Sequence, residues 1–225
     1  MKSARQPVHT PLRPLAALRG ACLALVLGII PPGAALASWH GVNMRGTAPP
    51  LRFTMVDADL GHVVTARNFR GKVVMLYLGY THCPDVCPLT LQRVAAVLGR
   101  LGPARHDVRL LFVTVDPARD SLAELKQYTA AFAPEIVGLR GNSDQITRLA
   151  KRYRLAFSAV PETASHPYEV THASAIYVFD RAGRARLLEA SLASQTPDIA
   201  GTAADLRQLL AARGGGALSW LDRAP

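Results

Sequence analysis

The chain is poor in cysteine: it has three among 225 residues, and one of them, Cys22, falls in a segment that reads as removable. A small domain stapled by several disulfides is therefore excluded. Apolar runs long enough to span a bilayer are missing as well. The N-terminal run from Ala21 to Ile30 stops at Pro31-Pro32, well short of the roughly 20 residues that a membrane-crossing helix needs. No block of Lys and Arg is interleaved with aromatics, which argues against a surface that tracks a nucleic-acid backbone. No internal repeat and no Ser- or Gly-rich linker divides the middle of the chain, so one domain is expected.

What is present begins with an address. Lys2, Arg5, Arg13 and Arg19 precede the apolar run, and Ala35-Leu36-Ala37 closes it. Basic, then apolar, then A-x-A is the pattern of a secretory signal peptide over residues 1–37. The domain is then expected to be exported, to the bacterial periplasm, and an uncleaved segment would hold it at the membrane. Cleavage after Ala37 removes four basic residues and no acid, so the formal charge falls from +10 to 22 − 16 = +6. Such a surface attracts an acidic protein or anionic headgroups. Residues 38–51, with Pro49-Pro50, read as an extended lead-in, residues 52–213 as the folded domain, and residues 214–225, after Gly214-Gly215-Gly216, as a tail.

Within the domain, Phe53 to Val56 and His62 to Thr65 flank Gly61 as a short N-terminal hairpin. The nearly continuous apolar runs Val73 to Leu78 and Val108 to Val115 read as strands buried on both faces. Between them Leu91, Val94, Val97, Leu98 and Leu101 recur at helical spacing until Gly102-Pro103. Ser121 with Glu124 has the form of a capping box opening a helix to about Phe132. Ile136 to Leu139 reads as a strand, Asn142 as the start of a helix carrying Ile146, Leu149 and Tyr153, and Ala175 to Phe179 with Ala185 to Leu188 as a hairpin. Thr196-Pro197 is expected to cap a last helix carrying Ile199, Leu206 and Leu210. Parallel pairing early and antiparallel pairing late make an α/β fold of thioredoxin-like layout: a central mixed sheet flanked by helices, with the N-terminal β-hairpin as an extension.

The chemistry concentrates in Tyr80-Thr81-His82-Cys83-Pro84-Asp85-Val86-Cys87-Pro88, which holds both cysteines of the domain. On the first turn of a helix, a spacing of four places Cys83 and Cys87 on one face. The helix N-terminus would favour thiolate, the form that binds soft metals and attacks disulfides. A disulfide closing so short a loop would restrain the unfolded chain little. Two thiolates do not choose a metal, so a third ligand matters. Seven histidines are available. His40 and His106 fall in solvated connectors, the side chain of His82 diverges from that of Cys83, and His166 and His172 lie in the long segment after Tyr153. His172 directly precedes a strand whose beginning can lie beside the cysteine turn, and a Cys₂His set suits Cu(I), or Cu(II) with a further donor.

The run from Tyr80 to Leu91, then Val113-Thr114-Val115-Asp116-Pro117-Ala118-Arg119-Asp120-Ser121, Leu139 to Ile146, and Thr171-His172-Ala173 ahead of Ile176 to Asp180, closely resembles the Sco/SenC family of copper-binding assembly proteins over about residues 50–212. The resemblance implies a thioredoxin-like fold and a copper ion, Cu(I) or Cu(II), held by Cys83, Cys87 and His172. It also implies a copper-accepting subunit of cytochrome c oxidase as recipient, with a periplasmic copper donor behind it. Asp116 and Arg119 would order the loop near the site. One departure stands out: the family commonly carries an acid just before the histidine, and here it is Thr171. A metallochaperone, not an enzyme, is the leading expectation. The alternative is a thiol-disulfide oxidoreductase working through the same two cysteines, although the C-x₃-C spacing differs from the C-x-x-C usual for that work.

Overall fold

The computed structural model describes residues 38–160 and 169–212. The chain runs β1 (Val42–Asn43), β2 (Thr54–Asp57), β3 (Val63–Thr65), β4 (Val73–Gly79), α1 (Val86–Arg100), β5 (Val108–Thr114), α2 (Leu122–Ala130), β6 (Ile136–Arg140), α3 (Ser143–Tyr153), β7 (Phe157–Val160), β8 (Glu169–His172), β9 (Ile176–Phe179), β10 (Ala185–Glu189) and α4 (Ile199–Ala211). The expected signal peptide, His166 and Gly214-Gly215-Gly216 fall outside the described residues.

All seven residues of β4 are buried, and this follows from their composition: a strand with no polar face must be covered on both sides. It pairs in parallel with β5 and antiparallel with β9, and β5 pairs in parallel with β6. The full order is β1-β10-β9-β4-β5-β6-β2-β3. The mixed, helix-flanked sheet is the expected thioredoxin-like arrangement. Both parallel steps are βαβ crossovers through α1 and α2, so the loops leaving β4 and β5 emerge at the same end of the sheet. The loop leaving β4 leads into the two cysteines, and the loop leaving β5 carries Asp120, which bonds to it.

The helices obey their sequence signals. Leu91, Val94, Val97 and Leu98 of α1 have no exposed surface, and the helix stops where Gly102 takes φ +57°, the left-handed conformation that glycine adopts without strain. Ser121 and Glu124 form the capping box of α2, and Asn142 with Gln145 forms another at α3. Deleting a fully buried side chain such as Leu91 or Leu110 to alanine costs about 2–5 kcal/mol in cores of this kind.

Four features differ from expectation or extend it. The hairpin β2–β3 is an edge of the main sheet, because Val56 and Asp57 pair with Arg140 and Leu139 of β6. The lead-in supplies β1 at the other edge, opposite Leu187 and Leu188. Helix α4 is capped by Asp198 and not by Thr196-Pro197: the Asp198 carboxylate accepts from the Gly201 amide at 2.7 Å, an anion at the positive end of the helix dipole. Finally, the segment after Tyr153 contains a separate two-stranded ribbon, β7–β8, in which Phe157 pairs with His172.

Candidate metal centre

Where β4 ends, Gly79 lets two side chains approach the backbone closely. A Cβ added there would stand 2.5 and 2.9 Å from the Phe112 ring and 3.0 Å from Cys87 Sγ. The chain then turns through Tyr80, whose carbonyl accepts from the Cys83 amide at 3.3 Å. Helix α1 starts only at Val86, so Cys83 lies in the loop before the helix, and the expected placement of both cysteines on the first turn is corrected. The reason is local: Pro84 and the non-helical N-cap Asp85, at φ −141°, separate Cys83 from the helix. The sulfur nevertheless reaches the helix mouth. Asp85 makes no side-chain cap bond, and Cys83 Sγ accepts from the Cys87 amide at 3.4 Å. It thereby satisfies one of the donors that every helix start leaves open.

Cys87 is fully buried and Cys83 is 8% exposed. Both are free thiols. His172, the last residue of β8, brings its Nε2 to 3.1 Å from Cys87 Sγ. Its Nδ1 lies 3.2 Å from the Ala173 carbonyl, so Nδ1–H donates there and the Nε2 lone pair faces the sulfurs. The ring edges of Tyr77 and Tyr80 enclose the imidazole, with centroids 5.8 and 5.9 Å away. The Tyr80 hydroxyl donates to the Val170 carbonyl at 3.4 Å, tying the ribbon to the cysteine loop. One ligand atom each from Cys83, Cys87 and His172 lies within 4.8 Å of the other two, and among the described residues this is the one such group of three that could hold a metal ion.

The two thiols are electrostatically unequal. A hydrogen bond from Cys87 draws the Cys83 pKa down to about 4; burial opposes this, and the Asp85 and Cys87 amides and His172 add to it. Cys87 moves the other way, because it shares that hydrogen bond with a thiolate and is itself buried. At neutral pH the pair holds one thiolate and one thiol. Burial, and then the Cys83 charge, push Tyr80 up to about 12, so its hydroxyl remains a donor. Two buried sulfurs and a half-buried imidazole nitrogen form a soft donor set.

The other expected residues fall into place around this group. The side chain of His82 points away from the three ligands toward Asp120. His106 and His40 are solvent-facing, near Glu135 and Asp198 respectively. Asp85 is exposed. Arg119 Nε pairs with buried Asp116 at 2.5 Å, and the guanidinium lies 6.0 Å from the Tyr80 ring centroid, so this pair packs against the site. Thr171 projects from the opposite face of β8 to His172 and shares a hydrogen bond with Ser158 at 2.8 Å.

Two residues had escaped the sequence reading. Asp120 links the end of β5 to the cysteine loop by bonds to Thr114 and Thr81. Gly79 had carried a signal, an isolated glycine closing an apolar strand.

Comparison with known proteins agrees with this geometry. The family model described as SCO1/SenC matches residues 47–211. The bovine protein named SCO2 homolog, mitochondrial, is 39% identical over 133 residues, covering 58% of this chain and 50% of its own length. Mitochondrial SCO1 of Saccharomyces cerevisiae is 38% identical over 127 residues, covering 55% and 43%. The chain thus spans about half the length of these curated relatives. The solved structure of Bradyrhizobium japonicum ScoI with copper bound is 36% identical, with a TM-score of 0.62, and the match covers 72% of this chain and 99% of that one.

Proposed function

From the premise that this chain belongs to the SCO1/SenC family, we propose that it is a metallochaperone that carries one copper ion on Cys83, Cys87 and His172 and assists assembly of the copper centre of cytochrome c oxidase. The observation that carries the reading is the convergence of three soft ligand atoms, from two distant parts of the chain, within 4.8 Å. Each residue has a definite task. Cys83 offers a ready thiolate. Cys87 gives up its proton as the ion enters, since a thiolate and not a thiol is the ligand. His172 presents a lone pair fixed by the Ala173 carbonyl. Three ligands leave a coordination position through which a recipient's ligand can enter while one of the protein's own leaves, so the ion moves without being freed. The recipient is the copper-accepting subunit of the oxidase, and a copper donor of the same compartment loads the site.

The compartment belongs to the same proposal. The leader over residues 1–37 directs the domain out of the bacterial cytoplasm, and N-terminal sequencing of the protein recovered from a periplasmic extract tests this, cleavage after Ala37 being expected. The described residues contain no helix long and apolar enough to cross a membrane.

The experiment for the copper site loads Cu(I) without oxygen into the reduced protein and compares it with His172→Ala against a competing chelator. One retained ion, much weakened by the substitution, is the expected result. No retained copper, or indifference to His172, shifts the reading to the alternative, which the unequal thiols favour: a thiol-disulfide oxidoreductase. There the Cys83 thiolate attacks a disulfide of the apo-subunit and displaces one thiolate. Cys87, once deprotonated, then attacks Cys83 Sγ, releases the second thiolate and leaves a Cys83–Cys87 disulfide. Two electrons pass to the target, and each released thiolate takes a proton.

A further inference from the structure

Two cavities are each lined by three arginines, yet they differ in charge. Arg45, Arg184 and Arg186 line a space of about 470 Å³, and two of these guanidiniums are already neutralised. Asp180 pairs with Arg184 Nε at 2.9 Å and with Arg186 Nη1 at 3.3 Å. The other cavity, of about 370 Å³, is lined by Arg52, Arg148 and Arg152 and by no acid among the described residues. The one acid of α3, Asp144, neither lines it nor forms an ion pair with Arg148. Three positive charges therefore share this space without a counter-charge.

Local geometry brings them there. Gln145, Arg148 and Arg152 recur at intervals of three and four residues on α3, hence on one face. Arg52 and Thr54 are exposed and alternate with buried Phe53 and Met55, so they share one side of the extended chain entering β2. Buried Phe53 and Leu149 complete the lining. The two stripes are fastened together: the Tyr153 hydroxyl accepts from the Arg52 amide at 3.0 Å and donates to the Pro50 carbonyl at 3.0 Å. Arg152 Nη2 donates to the same carbonyl at 3.1 Å, and its guanidinium lies 5.9 Å from the Tyr153 ring centroid. Gln145 Oε1 accepts from the Asn142 amide at 2.8 Å, which leaves its NH₂ group to donate. The guanidiniums of Arg52 and Arg148 have no partner among the described residues.

Every charged group at this cavity is a cation, and guanidinium offers donors only. Forked donors of one sign, backed by buried apolar side chains, select an anion with several acceptor oxygens. A volume of this size suits a small molecule, and three charges are not balanced by a single carboxylate. We propose that the cavity between α3 and the chain entering β2 binds a small polyanion carrying two or more oxyanion groups, phosphate or carboxylate. None of Cys83, Cys87 and His172 lines it, so the site is distinct from the copper centre and goes beyond the copper-carrying reading. Arg52 and Arg148 are exposed, which makes the binding sensitive to salt.

The test is calorimetric titration of the full-length, metal-free protein at low salt, with pyrophosphate in one arm and citrate in the other. Saturable binding of one anion per chain is expected, and the tighter probe identifies phosphate or carboxylate as the group the site takes. Arg52→Ala and Arg148→Ala should each weaken it by about tenfold, the loss of one charge-assisted contact. Their melting temperatures should hold, because both side chains are exposed. Arg52→Lys and Arg148→Lys keep the charge but lose the fork, and should also bind more weakly than the wild type. Arg45→Ala, in the neutralised cavity, should bind as the wild type does. No saturable binding of either probe overturns the proposal. So does equal weakening by Arg45→Ala, or undiminished binding by both lysine variants, since either result reduces the effect to the diffuse attraction of a basic surface.

Discussion

Adding one methyl group at Gly79 tests how tightly the end of β4 packs against the site. The new Cβ would lie 2.5 Å from Phe112 Cε2, 2.9 Å from Cζ and 3.0 Å from Cys87 Sγ, where ordinary contact begins near about 3.5 Å. The ring must retreat by about 1 Å and the sulfur by about half that. Phe112 cannot retreat freely, because it has no exposed surface and packs between Tyr77 and Tyr128 at centroid separations of 6.0 and 5.5 Å. Overpacking of this kind costs about 1–3 kcal/mol, equivalent to a fall of about 2–12 °C in melting temperature for a domain of this size. Moving Cys87 Sγ also spoils its 3.1 Å approach to His172, so copper affinity should drop by about tenfold, within the range for disturbed metal sites. Gly99 is the control. It lies in α1 with nothing within 4 Å of an added Cβ, so Gly99→Ala should stabilise the protein by about 0.5–1 kcal/mol through helix propensity. Urea denaturation and chelator competition measure both variants. If Gly79→Ala matches the wild type in stability and affinity, the packing argument for the site is wrong.

Other outcomes follow from the charges. With Cys83 at about 4 and Cys87 pushed well up, Cu(I) loading between pH 7 and 9 should release about one proton per ion and tighten about tenfold per pH unit; release near two at pH 7, measured with an indicator dye in weak buffer, would sink the unequal-thiol picture. Glu189 is raised to about 7, first by burial and then by the Asp205 charge. Its folded pKa exceeds the unfolded one, so the fold binds the extra proton. Stability should therefore fall, by on the order of 3 kcal/mol, as pH rises from about 4.5 to 7 and then level off. Denaturation across that range should show the slope in the wild type and not in Glu189→Gln. Loading should also protect the fold: free Cu(I) held at about a thousand times the dissociation constant adds about 4 kcal/mol, and thermal melting of His172→Ala under the same conditions should show much less.

Much of the frame was legible because the relevant signals are local. The apolar runs at Val73 and Val108, the capping box at Ser121, the helix entry at Asn142 and the Gly102 stop each act through neighbours within a few residues. The pairing of β1 with β10 was not legible, since Val42-Asn43 has no pattern of its own and is a strand only because an edge was open. The cap of α4 was misplaced by two residues because Thr196-Pro197 and Asp198 are both plausible starts, and the choice depends on which acceptor meets the Gly201 amide.

The cysteine pair, its place between an apolar strand and a helix, and the soft-metal chemistry it permits were determined by the sequence alone, because residue type and short spacing suffice for them. The third ligand was decided by tertiary structure. His172 stands 85 residues from Cys87, and only the pairing of β7 with β8, tied to the loop by Tyr80, brings its Nε2 to the sulfur. The inequality of the two thiols was settled there too: it comes first from the hydrogen bond between the two sulfur groups, which favours thiolate on Cys83 and thiol on Cys87, with burial and the nearby amides adding smaller effects. The roles of Gly79 and Asp120 likewise depend on what lies across from them in space. Ligand type is a property of the residue, but distance, tautomer and proton placement are properties of the packing around it.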